Sequence, residues 1–237
     1  MRDVIGGAID GLRGATYLAR HRELWKWVLA PAFVVAVIGF ATFGWLVALL
    51  GTFGFVRWTT LALASAGVIV TLSTLIAGPF CEMLSEAIEE HETGVTAPAF
   101  RLTHFLYGAA VGLAHAARRA FTYVVLLIAL LVVAHYSAIA AAAGSAWVTA
   151  RFASYDCYDA IWARRHWRYR DKLAYLRANL WRTVGLGALV AVALVVPGLN
   201  IIALGIGATG ATLRVLAREQ PPAAPAPRDP RAPDTPR

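Results

Sequence analysis

Three cations, Arg20, Arg22 and Lys26, fall within seven residues, immediately ahead of the first long apolar run. A guanidinium offers oxyanions a planar fork of donors and stays charged even at membrane depth. A helix that starts here adds unpaired N–H groups and the positive end of its dipole. Arg20, Arg22 and Lys26 are therefore candidate ligands for a small oxyanion, with plain electrostatic anchoring at the membrane surface as the alternative.

A second set of charges is acidic. Glu82, Glu86 and Glu89 sit at spacings that place at least two on one helix face. They are read either as a solvated face or as partners of the arginines between 164 and 182, Arg177 among them, closing a cytoplasmic mouth. Pro197 and Asn200 carry turn chemistry, because proline sets φ and asparagine can bond its own backbone. Carbonyls freed at membrane depth need partners or a wet cavity, which makes this turn a pore-lining candidate. Thr209 can bond the backbone or coordinate an ion.

Other chemistries find little support. His104, His115 and His135 are too dispersed for a metal site, and Cys81 and Cys157 read as packing thiols. No Ser/His/Asp set, metal-ligand spacing or nucleotide-binding motif is visible, so neither an enzyme nor a nucleotide-driven pump is expected, and no cofactor. Nucleic-acid binding is also not expected, because no soluble module could carry it.

The elements that position these residues are membrane elements. Hydrophobic residues make up 59% of the 237, charged ones only 15%, and a net charge of +8 is carried almost wholly by arginine. Arg2, Asp3, Asp10, Arg13 and Arg20 interrupt the first twenty residues, so no cleavable signal peptide is expected. Residues 3–24 predict an amphipathic interfacial helix with Val4, Ile5, Ala8, Leu12, Ala15 and Leu18 on its apolar side. Full spans are expected from Trp25 to about Leu50 and from about Thr59 to Gly78. Amphipathic helices follow over 79–90 and from Phe100 to Arg119. Trp162, Trp167, Tyr169 and Tyr175, interleaved with arginines, read as an interfacial aromatic belt. The residues from 1 to 218 form one membrane domain, and the Pro/Ala/Arg-rich tail 219–237 is expected to be disordered.

Two uncharged blocks decide the topology. One lies between Arg119 and Arg151, the other between Arg182 and Arg214. A helix rises about 1.5 Å per residue and the hydrocarbon core is about 30 Å thick, so each block is long for one crossing and too short for two. Arginine-rich segments at both ends of each block belong on one side, the cytoplasm. Re-entrant hairpins satisfy that parity, with turns at His135-Tyr136-Ser137 and at Pro197-Gly198-Leu199-Asn200.

The order of several segments resembles one known family. Ala77-Gly78-Pro79-Phe80 followed by Leu84, Glu86 and Glu89, then Asp159, Tyr169, Arg177, Gly187, Pro197-x-x-Asn200 and Gly207-Ala208-Thr209 resemble the CysZ and etoposide-induced-protein membrane family. The resemblance covers about residues 5–216. It implies an all-α inner-membrane protein with two long spanning helices and two hemi-penetrating hairpins, acting in sulfate uptake. It also implies anion binding by a Gly-x-Arg-Arg stretch eight residues ahead of a proline. Counted back from Pro31, this chain has Glu23-Leu24-Trp25-Lys26 there, so only Lys26 keeps a cation. The expectation is a multi-pass, homo-oligomeric permease for sulfate or a similar oxyanion in a bacterial plasma membrane, both termini cytoplasmic. A non-transporting, lipid-associated scaffold of the same fold is the alternative.

Overall fold

The computed structural model describes residues 2–50, 77–95, 102–165, 167–196 and 199–219, and these are helical with short joints. Helix α1 spans Arg2–Arg20, a 3-10 turn Arg22–Leu24, and α2 Trp25–Leu50. Residues 77–93 form the described part of α3. Then come α4 (Leu102–Tyr136), α5 (Ala138–Arg164), α6 (Tyr169–Ala178), α7 (Leu180–Val195) and α8 (Leu199–Glu219). The expected second span (except its last two residues), Pro197 and the tail from 220 lie outside the described residues.

The protein is an all-α membrane protein. Arg22–Ala41 is long and apolar enough to cross a bilayer, and so by length is Leu199–Glu219. Both predicted hairpins form. In the first, α4 ends at Tyr136 and Ser137 caps α5, its Oγ accepting the Ala140 N–H at 3.3 Å. The apolar limb Phe121–Tyr136 has 16 residues, about 24 Å of helix and short of a crossing. In the second, α7 has 16 residues and packs against α8. Helix α8 is longer than the limb expected. Its C-terminal half, with Gly207 to Thr212, Val215 and Leu216, is buried within the protein and is not a lipid-facing span.

Three boundaries differ from expectation. The amphipathic helix before Arg119 and the first hairpin limb are one continuous 35-residue helix, α4. The pair Arg118-Arg119 lies inside this helix, since arginine is a good helix former and breaks nothing. Arg151 likewise sits inside α5, which runs on to Arg164. Finally, α6 and α7 meet at 97°. Asn179 is the hinge, its Nδ2 donating to the Tyr175 carbonyl at 3.0 Å.

The core lies where α1, α5, α7 and α8 meet. The buried side of α1 is Gly7, Asp10, Gly11, Gly14 and Leu18, whereas Ile5 and Leu12 are exposed. The packing side is thus the glycine-rich one, and Ile5 and Leu12 of the expected apolar side face outward. Glycine lets the backbones touch: a Cβ on Gly7 would strike the Arg182 carbonyl, and one on Gly185 the Val4 carbonyl. Gly14 and Gly210 do the same between α1 and α8. Close approach through small residues is how helices associate where no hydrophobic driving force separates them from lipid.

The aromatic belt is also corrected. Trp162 is fully buried, stacked at 5.2 Å on Tyr158 and at 5.8 Å on Trp167, with Tyr175 edge-on at 5.2 Å. Helix α6 folds over these rings, so they form a core.

Gly185→Ala should destabilise the protein by at least about 1–3 kcal/mol, the usual cost of overpacking a tight contact. Gly44→Ala, with nothing within 4 Å of the new methyl, should leave stability unchanged or slightly raised. Thermal unfolding in detergent compares the two.

Candidate functional site

The joint between α1 and α2 is a rigid corner. The His21 N–H donates to Tyr17 O at 3.1 Å, Leu24 N–H to His21 O at 3.2 Å, and Trp25 Nε1 to Leu18 O at 2.9 Å. The first N–H groups of α2 are thus partly used by the 3-10 turn, since Trp25 N–H bonds Arg22 O. Fewer backbone donors face an anion than a bare helix start would offer. Arg20 closes α1, Arg22 opens the 3-10 turn, Lys26 lies in the first turn of α2, and all three are exposed.

Beside this corner is an open groove of about 430 Å³ lined by Glu23, Leu24, Lys26, Trp27, Ala87, Glu90 and His91. Of the three candidate cations, only Lys26 lines it. Its Nζ rests 5.2 Å from the Trp27 ring centre, which steadies the ammonium by cation–π attraction. The opposite wall is the end of α3, so the groove carries both signs of charge.

The acidic face of α3 meets the basic end of α5, as the sequence allowed. Glu89 pairs with Arg164 and, at 2.9 Å, with Arg165; Arg165 also pairs with Glu219 of α8. Burial alone would raise the Glu89 carboxyl, but the two guanidiniums outweigh it and hold it below its usual value. Beneath this network Arg164 donates to Ser85 Oγ at 3.2 Å, and Ser85 is hydrogen-bonded to Thr212 at 2.9 Å. Ser85 and Thr212 are fully buried, so α3, α5 and α8 are tied by one polar chain. Glu82 and Glu86 are half-buried on the same helix.

The remaining candidates are more scattered. Arg177 is exposed in the last turn of α6, with its charge near Arg151. Among the described residues it pairs with none of the three glutamates. Asn200 is exposed at the hairpin tip, where its N–H bonds Val196 O at 3.1 Å; Pro197 lies outside the described residues. Thr209 is fully buried and its hydroxyl donates to Gly205 O at 2.8 Å. Its proton is therefore given to the helix backbone.

Sequence reasoning missed Asp10. It is 3% exposed and takes two hydrogen bonds from Arg182, at 2.7 and 2.9 Å. A second buried pair joins Lys172 Nζ to Asp159 Oδ1 at 2.6 Å. The available signal was an aspartate in the middle of an amphipathic helix, out of step with its charged face.

With this geometry in place, the comparison with known proteins is decisive for the family. The family described as sulfate transporter CysZ/etoposide-induced protein 2.4 matches residues 11–204. The chain belongs to this family. The match runs from the middle of α1 into the start of α8, so it takes in the α1–α2 joint, the glutamate helix and both hairpins. Among individually curated proteins, none matches.

Two outcomes follow. Asp10→Ala strands the Arg182 charge and should cost about 3–5 kcal/mol, while Asp10→Ala with Arg182→Met recovers most of it; thermal unfolding of the single and double variants checks this. Burial, reinforced by the Asp159 carboxylate, pushes Glu82 from 4.5 up to about 7. A carboxyl with a raised pKa stabilises fully below its unfolded value and loses that contribution as pH rises through its folded value. Wild type should therefore fall behind Glu82→Gln as pH climbs from 4.5 to about 7, and the two should converge in acid. A gap that stays constant across that window would mean that Glu82 has the same pKa folded and unfolded.

Proposed function

We propose that the chain mediates passage of a small oxyanion, sulfate first among them, across a bacterial plasma membrane. The observation that carries this reading is the family match over residues 11–204, which includes the cationic joint and its groove. Passage is channel-like or ion-coupled. Lys26 makes the direct contact, and Arg20 and Arg22 raise the local anion concentration. Glu23 and Glu90 share the groove with Lys26, which favours a passing contact over tight capture, as permeation requires. The Glu89–Arg164–Arg165–Glu219 network closes the inner mouth.

The arginine-rich side of the protein, with both termini, faces the cytoplasm. Val195, Val196, Leu199 and Ile201 at the second hairpin tip are exposed apolar residues, and a homo-oligomer that joins these tips would bury the backbone of the turn. One observation favours a second reading. Ile5, Ile9 and Leu12 form an exposed apolar stripe on α1 beside Arg2 and Arg13, as a lipid-associated scaffold would need.

Uptake of radiolabelled sulfate into proteoliposomes separates the two. Wild type should exceed empty liposomes, and Lys26→Ala should cut uptake at limiting sulfate by about tenfold or more, the worth of one charge-assisted hydrogen bond. Arg22→Ala should have a smaller effect. Vesicle association with no uptake above empty liposomes would sink the transport reading and leave the scaffold.

A further inference from the structure

Three metal-ligating side chains, two from the α1–α2 joint and one from the distant end of α3, converge there. The donor atoms of His21, Glu23 and His91 all lie within 4.8 Å of one another. The His21 and His91 rings are 4.6 Å apart and edge-on, and Tyr17 packs against both. We propose that His21, Glu23 and His91 bind one divalent transition-metal cation of the zinc class, clasping the end of α3 to the α1–α2 joint.

The tautomer of His21 is fixed for this task. Its Nδ1 is 2.9 Å from the Tyr17 carbonyl oxygen. A carbonyl can only accept, so Nδ1 carries the proton, and in the neutral ring the lone pair is on Nε2. Such a bond from the second ring nitrogen is the usual way a histidine ligand is oriented and made more basic.

The backbone around the site is equally set. His21 caps a hydrogen-bonded 3-10 turn and Glu23 is its middle residue. His91 lies in the last turn of α3, which ends where Gly94, at φ 69°, returns its N–H to Glu90 O at 2.8 Å. The C-terminal end of a helix carries negative partial charge and favours a cation. Glu90 and Glu92 in the same turn add to that field, while Arg22 and Lys26 oppose it from the other wall.

Two imidazoles and one carboxylate, with water in the fourth position, make a tetrahedral zinc set with bonds of about 2.0–2.2 Å. Donors around such an ion sit about 3.4 Å apart. Closing from the observed spacing would fall to Glu23 and His91, whose side chains are exposed. The bound cation would also take up the charge of Glu23, leaving Lys26 less opposed in the adjoining groove. The site itself stands whether or not the chain transports an oxyanion.

The test uses the full-length protein in detergent, freed of any histidine tag and of metal by chelation. Zinc titrated calorimetrically should bind with one equivalent per chain. His21→Ala and His91→Ala should each weaken that binding by more than about 100-fold, since losing an outer-shell partner alone costs about 10–100-fold. Glu23→Gln should weaken it less. Cobalt in place of zinc should give visible absorption bands that both histidine variants abolish. Equal thermal midpoints of wild type and His91→Ala in chelator show that the variant is folded. Absence of stoichiometric zinc binding, or binding that survives loss of both histidines, would overturn the proposal.

Discussion

The backbone contact between α1 and its neighbours α7 and α8 is the constraint on which the rest of the structure depends. Gly7, Gly14, Gly185 and Gly210 remove the side chains that would hold these helices apart. Only at that separation can Asp10 reach Arg182 with both carboxylate oxygens. The pair is buried on the aspartate side, so its geometry must be good to offset desolvation. Two hydrogen bonds from one guanidinium provide that. The contact fixes the direction of α1, and hence where its C-terminal end delivers Arg20, Arg22 and Lys26.

Polarity is distributed along the hairpins in one direction. At their tips Tyr136, Ile139, Val195, Val196, Leu199 and Ile201 are exposed, with Ser137 and Asn200 as the polar residues among the described ones. Their bases carry the ion pairs and the buried hydroxyls of Ser85, Thr209 and Thr212. A protein held in a bilayer from one side needs this gradient, since lipid satisfies no backbone or side-chain hydrogen bond. The buried aromatic stack around Trp162 has the same origin. Helix α6 turns through a right angle at Asn179 and covers the rings, so aromatic residues next to arginines in sequence become interior in space.

What was legible in the sequence was local. The length of the first block and the parity of its arginine ends called for a hairpin, and the polar residues His135-Tyr136-Ser137 placed its turn, where Ser137 caps α5. The glutamate spacing on α3 and the arginines after 163 foretold their pairing, since unlike charges on facing helices have few other partners. Asp10 and Arg182 are 172 residues apart, and no local pattern links them. The glycine face of α1 escaped for a different reason: hydrophobic periodicity marks the face with the largest side chains, and here that face is turned outward. Arginines were also given too much weight as boundaries, because Arg119 and Arg151 sit within helices that continue through them.

Pairing determines which charges remain to act on a solute. Arg164, Arg165, Lys172 and Arg182 are engaged by Glu89, Glu219, Asp159 and Asp10. Arg20, Arg22 and Lys26 are exposed, and of these Lys26 lines the groove beside α3. At physiological salt, charges more than about 8 Å away are largely screened. Lys26 is the candidate cation that lines the groove, and its field there depends most on what lies beside it. Glu23 and Glu90 lie beside it, and each weakens the attraction of the ammonium for an anion. The charge on those carboxylates thus bears on the groove more than the number of arginines on the protein does.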